Sequence, residues 1–259
     1  MGSRAPMKLR YPGGQLMPEN VIEALCYMGK VGVMSRETWY HHFARGVTRW
    51  KQRQLTNLYR SGVIKPHSCG RGKESWVLSE SSARLLRFHN LSSVSPVLPQ
   101  HIVHDELVAT SMLQLQKKNV TTSWLTEREL KSRNSMEFIV SKKNCDAKYP
   151  DAIFQVRFGD QLRMFALEYE RTGKSSLRYR SILRQYANLR SLSMILYVVE
   201  EEAVKKRIES ALKFVGDMST SEKVAFTSAK EWRENPLTSQ LQLRAKVLTF
   251  EDISRIKNV

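Results

Sequence analysis

Cysteine is scarce. The 259 residues contain three, at Cys26, Cys69 and Cys145, far apart and odd in number. That spacing offers neither a disulfide framework nor a zinc-ligand pattern. A reducing, cytoplasmic setting is the expectation that follows. No run of about 18 apolar residues occurs, so no membrane-spanning helix is expected. Met1 to Pro12 is basic but lacks the apolar core of a secretory signal; residues 1–15 read as a flexible basic arm. Acid is the other shortage. Twenty-five Asp and Glu stand against 42 Lys and Arg, a formal net charge of +17. Such an imbalance points to a polyanionic partner, most often nucleic acid. It is steepest early in the chain, where residues 1–90 hold fifteen basic and five acidic side chains. The 41% hydrophobic content is enough for two ordinary domains. No internal repeat is visible.

Residues 16–90 read as a winged helix-turn-helix. Val21, Ile22, Leu25, Cys26 and Met28 have near-helical spacing over Pro18 to Lys30. Ser35 is a candidate N-cap for a second helix, Arg36 to Ala44. A third helix begins at Thr48 and closes near Ser61, with Gly62 at the C′ position. On a helical projection Arg49, Arg53, Thr56 and Arg60 fall within about 60° of one another. Leu55, Leu58, Tyr59 and Gly62 are placed opposite. A helix Arg-rich on one side and apolar on the other suits docking in the major groove, although a solvated charge stripe has the same appearance. Val63 to Lys65 and Ser75 to Leu78 read as strands around a basic glycine turn, where Arg71 and Lys73 could reach phosphate or minor groove. The expected DNA-binding residues are therefore Arg49, Lys51, Arg53, Thr56, Arg60, Arg71 and Lys73.

Residues 91–135 read as linker and helical connector. Asn90 to Pro99, rich in Ser and Pro, is the linker. His101 to Lys118 is a helix, and Trp124 to Lys131 a short segment ending the connector. His101 and His104 with Asp105 have the spacing of a metal pair, but without a further ligand motif the stronger reading is hydrogen bonding at a helix start. Gly173-Lys174-Ser175 invites a P-loop reading. It fails because Glu168 stands where that motif needs its first Gly.

Residues 136–259 read as an α/β domain. Ala152, Phe154, Val156 and Phe158 alternate with Asp151, Ile153, Gln155 and Arg157, the period of a strand. Leu162 to Glu170 reads as its partner, apolar enough to be covered on both faces. Glu168 and Glu170, two apart, share one face of that strand. Buried carboxylates need a partner, a proton or a cation. Asp151 could complete a cluster of oxygens suited to Mg²⁺, or the two glutamates could pair with Arg171, Lys174 or Arg163. A basic helix (Ser175 to Leu192), a buried strand (Met194 to Val199), an amphipathic helix (Glu200 to Phe214), a strand (Lys223 to Thr227) and a strand-helix tail from Lys246 to Ile256 complete an α/β sheet flanked by helices.

The pair Pro150-Asp151 with Glu168-Tyr169-Glu170 resembles the motif of the PD-(D/E)XK nuclease superfamily. The order of elements resembles in particular the replication-relaxation family of plasmids and mobile elements. Leu167 to Gly173 looks like that family's acidic segment, and Arg184-Gln185-Tyr186 like its Lys/Arg…Tyr helix. The resemblance implies a restriction-endonuclease-like α/β domain with a central mixed sheet, following the winged helix. It implies Asp151 and Glu168 as Mg²⁺ ligands if the domain is active, with Glu170 as a further acid. Glu170 stands where active nucleases carry Lys, and a carboxylate cannot supply that positive charge. Lys174 is the candidate substitute, and Glu127 or Glu129 a candidate extra acid.

Three functions remain open at this point. The favoured one is a DNA-binding protein of a mobile element or phage, acting in replication, mobilisation or transcription control, with an inactive nuclease-like domain and no cofactor required for binding. The second is a Mg²⁺-dependent DNA endonuclease or nickase. The third is a protein-interaction module in a replication or transfer complex. Double-stranded DNA is the expected partner, with a homodimer and replication or transfer proteins as candidate protein partners.

Overall fold

A computed structural model describes residues 8–67, 74–139, 141–143, 146–158, 160–244 and 246–255. It is mixed α+β, and it falls into two compact units, 1–106 and 107–259.

The first unit begins with α1 (Glu19–Val31), which buries Val21, Ile22, Leu25 and Met28 on one side. It ends at Gly32, whose φ of +86° lets its N–H reach the Met28 carbonyl, a left-handed stop that glycine adopts without a Cβ penalty. Then come β1 (Met34–Ser35) and α2 (Arg36–Thr38), which runs on as a π-helical turn over Trp39–Phe43. Ser35 caps α2 as expected: its hydroxyl accepts the Thr38 N–H at 3.1 Å. The helix α3 (Thr48–Arg60) buries Leu55 and Leu58. It closes with the Gly62 N–H on Tyr59 and the Val63 N–H on Leu58, so Gly62 is the C′ residue of a Schellman motif. The strands β2 (Ile64–His67) and β3 (Ser75–Leu78) pair antiparallel, and β1 adds to β3, giving the order β1-β3-β2. Next is α4 (Glu80–Phe88), capped by Ser79. Arg71 and Lys73 lie outside the described residues.

The polar stretch after α4 is not a free linker. The Val94 N–H donates to the Gly29 carbonyl at 2.8 Å, and His67 Nε2 bonds the Val97 carbonyl at 2.8 Å. Val97 is fully buried. Gly29 and Gly32 let this segment lie directly on α1: a Cβ on Gly29 would meet the Ser92 carbonyl oxygen at 2.2 Å, and one on Gly32 the Ser95 oxygen at 2.5 Å. Serine-rich composition predicted slack; two missing side chains on the facing helix make a strap instead. A 3₁₀ turn (Pro99–His101) then leads into α5 (Ile102–Lys117). Glu106, on α5 and the last residue of the first unit, accepts the Ser35 N–H at 2.6 Å and the Thr38 hydroxyl at 2.9 Å.

In the second unit, β4 (Thr121–Thr126) precedes α6 (Glu127–Ser132). Thr126 and Glu129 form a complete capping box there, satisfying two helix-start N–H groups. Of Trp124 to Lys131, expected as the end of the connector, Trp124 to Thr126 lies in an edge strand of the main sheet and the rest in α6. A 3₁₀ turn (Met136–Phe138) leads to the hairpin of β5 (Ser141–Lys143) and β6 (Asp146–Lys148). Then follow β7 (Ala152–Phe158), β8 (Gln161–Glu170), α7 (Ser176–Asn188), β9 (Leu192–Val199), α8 (Glu202–Val215), α9 (Met218–Lys223), β10 (Val224–Ser228), α10 (Ala229–Glu234), β11 (Leu241–Leu243), β12 (Lys246–Leu248) and α11 (Phe250–Arg255). Seven strands form one mixed sheet in the order β12-β11-β10-β9-β8-β7-β4, with β8, β9 and β10 parallel and the other pairs antiparallel. One face packs Ile153, Ala166, Ile195, Tyr197 and Phe226 against α7 and α8. Phe154, Phe165, Trp232 and Phe250 form a separate aromatic cluster, with ring centroids 5.5 to 6.2 Å apart.

Candidate functional sites

The first candidate is the outer face of α3. Arg49, Arg53 and Arg60 are exposed together, because burial of Leu55 and Leu58 orients the helix. Thr56 is half-buried and donates its hydroxyl to the Gln52 carbonyl at 3.0 Å. Lys51 turns the other way. Its ammonium bonds the Tyr40 carbonyl at 2.7 Å, and its own carbonyl accepts Trp39 Nε1 at 3.2 Å, so it fastens α3 to the π-helical turn. Tyr59 also corrects the sequence reading, being 50% exposed rather than on the buried side. Trp50, not singled out from sequence, is 57% exposed, and the Arg53 guanidinium lies 5.6 Å from its ring centroid.

The second candidate lies where β8 ends. Asp151, Glu168 and Glu170 are all buried. Asp151 Oδ2 accepts the Tyr169 N–H at 2.7 Å, and Glu168 Oε1 accepts the Tyr186 hydroxyl at 2.6 Å. The other oxygen of each carboxylate faces Lys148, whose Nζ is 3.5 Å from Asp151 Oδ1 and 3.1 Å from Glu168 Oε2. Glu170 turns to a different set. Its carboxylate pairs with Lys174 and accepts the Tyr179 hydroxyl at 3.4 Å. The expected three-carboxylate cluster is thus divided into two groups, Asp151 and Glu168 on Lys148 and Glu170 on Lys174. Among the described residues no group of three or more His, Cys, Asp or Glu is arranged to hold a metal.

The electrostatics follow from burial. Desolvation pushes Glu168 up to about 7, with Lys148 and Lys174 pulling down and Asp151 and Glu170 pushing further up. Burial works against the charge on Lys148, yet Asp151 and Glu168 outweigh it and hold its pKa above the ordinary lysine value. Burial, reinforced by Glu168, raises Tyr186 and Tyr197 well above 10. The buried Tyr197 hydroxyl has no hydrogen-bond partner among the described residues. Two carboxylate oxygens converging on one positive charge suit a hard cation such as Mg²⁺; the Lys148 ammonium holds that position.

Lys148 is the residue that sequence reasoning missed. It lies in a polar stretch with no periodic signal; its place three residues before Asp151 is the one signal in the sequence, and pairing of β7 with β8 brings Glu168, twenty residues on, to the same point. Lys174, the expected substitute, is committed to Glu170. Glu129 is committed to the capping box and to Arg133. Glu127 pairs with Lys131 at 3.1 Å, and its backbone N–H donates to the Asp151 carbonyl. His104 is 3.2 Å from Asp105, consistent with helix-start bonding. Comparison of the chain with protein-family models, curated proteins and solved structures finds no match.

Proposed function

We propose that this chain is a DNA-binding protein of a mobile element or phage, with a winged helix that docks through α3 and a nuclease-like second unit. The observation that carries the reading is the single exposed stripe of Arg49, Arg53 and Arg60 on a helix anchored by Leu55 and Leu58. It belongs to a unit in the order helix, strand, helix, helix, strand, strand, and the chain carries a net charge of +17. That order and the three-stranded antiparallel sheet support a winged helix, in which the third helix enters the major groove. Each phosphate-contacting arginine contributes to affinity and to its salt dependence. Arg53→Ala and Arg60→Ala should each weaken binding to duplex DNA and lower the slope of log affinity against log salt by about 1. Unchanged affinity and slope in both would overturn the docking.

A second reading, metal-dependent cleavage of DNA, is favoured by Lys148. Sequence alone left the site short of a cation because Glu170 occupies the usual lysine position; Lys148 brings one from β6 to within 3.1 Å of Glu168. With α6 and the β5–β6 hairpin as an insertion between β4 and β7, the order α5, β4, β7, β8, α7, β9 also supports a nuclease-like unit. In this reading Mg²⁺ would have to displace the Lys148 ammonium from the Asp151 and Glu168 oxygens; its role would be to activate water and offset charge on the phosphate. Lys148 would provide positive charge beside them, and Tyr186 would orient Glu168. Nicking of supercoiled DNA that needs Mg²⁺ or Mn²⁺ and is lost in Asp151→Ala is the expected result. DNA binding without metal-dependent cleavage would retire this reading and leave the first intact.

A further inference from the structure

Trp50 and Asn57 form a second stripe on α3, beside the arginines. Seven residues apart, they sit about 20° from one another around the helix and about 10 Å apart along it. Both are exposed. Trp50 is 57% exposed, and the Arg53 guanidinium stands over its ring. A single exposed apolar residue means little. An indole and an amide on one side of a helix that also bears the arginine stripe mean more, because each group reads A·T pairs in the major groove, at steps set by their spacing along the helix. An amide recognises adenine through N6 and N7, and apolar surface recognises the C5-methyl of thymine. Their separation of about 10 Å spans roughly three base pairs at about 3.4 Å each.

Resting on the DNA-binding reading, we infer that α3 selects A·T-containing major-groove sequence, with Trp50 against a thymine methyl and Asn57 on adenine. The arginines then position the helix on phosphate, and this stripe decides which sequence is held.

Removing the methyl tests the inference without touching the protein. Binding is measured by competition against three alternating duplexes, poly(dA-dT), poly(dA-dU) and poly(dG-dC). The wild-type chain should bind poly(dA-dU) about fourfold more weakly than poly(dA-dT), the worth of one buried methyl. Trp50→Ala should bind those two equally. Asn57→Ala should lose roughly tenfold on poly(dA-dT) relative to poly(dG-dC). Equal wild-type affinity for poly(dA-dT) and poly(dA-dU) would overturn the inference while leaving DNA binding standing. A Trp50→Ala protein that kept the preference would do the same. Failure to bind any of the three duplexes would remove the DNA-binding reading itself.

Discussion

Replacing Lys148 with Met isolates the role of the buried ammonium. The substitution keeps an unbranched chain of similar length and removes the charge that faces Glu168 at 3.1 Å and Asp151 at 3.5 Å. Glu168 is 1% exposed and Asp151 9%, so little water reaches either carboxylate to replace the ammonium. Removing one partner of a buried pair typically costs about 3–5 kcal/mol, because the other charge is left uncompensated. For a chain of this size each kcal/mol moves the melting temperature by about 2–4 °C, giving a loss of roughly 6–20 °C at pH 8. The loss should depend on pH. Glu168 has a folded pKa of about 7, above the ordinary carboxylate value, because burial outweighs its lysine partners. A carboxyl raised in this way favours the folded state while protonated. That contribution is complete below the unfolded value and disappears as pH climbs through the folded one. Without Lys148 the folded pKa rises further, so the variant suffers most above pH 7. At pH 5 Glu168 is neutral with or without the lysine, and only Asp151 lacks its partner. Thermal unfolding of both proteins by circular dichroism at pH 5 and pH 8 reads the difference. Equal melting at pH 8, or a loss of the same size at both pH values, would refute the electrostatic argument.

Two other substitutions test features of the fold. Gly29→Ala places a Cβ 2.2 Å from the Ser92 carbonyl oxygen and 2.8 Å from Leu86 Cδ1; it should cost about 1–3 kcal/mol and speed proteolysis within residues 90–98, seen as earlier cleavage in a timed digest. Glu129→Ala breaks the capping box of α6 and leaves the buried Thr126 N–H without its acceptor. It should cost about 2 kcal/mol in urea unfolding and leave DNA affinity unchanged.

Periodicity carried the sequence reading wherever one face of an element is buried. The alternation through Ala152, Phe154 and Val156 gives β7, and the apolar run to Glu170 gives β8, each within a residue or so of the observed bounds. The Leu55 and Leu58 spacing gives α3. The failures have separate causes. The Thr121–Thr126 strand has polar and apolar residues out of alternation, with Glu127 directly after it, and reads as helix-like until pairing with β7 is seen. Asn90 to Pro99 has the composition of a linker, and what anchors it is the absence of side chains at Gly29 and Gly32, a property of the partner helix. Lys51 falls in a basic run and looks like its neighbours; its inward turn follows from the Tyr40 carbonyl. At the acidic site the carboxylates are visible in sequence because they interrupt an apolar strand. Their counter-ion is far less visible, because Lys148 is one more lysine in a chain rich in them.

The tyrosines around that site make the second unit report on itself. Tyr186 gives its proton in a hydrogen bond to Glu168, and Tyr197 is sealed beside the same carboxylate. Burial, reinforced by Glu168, holds both phenols well above the ordinary tyrosine value while the sheet is intact. Added base would draw tyrosinate absorbance first from phenols that water reaches, and from these two only when the strands part. The enclosure that keeps water from Glu168 thus delays two tyrosinate signals until the C-terminal sheet opens, and Tyr27, buried in the first unit, adds a late signal from that unit.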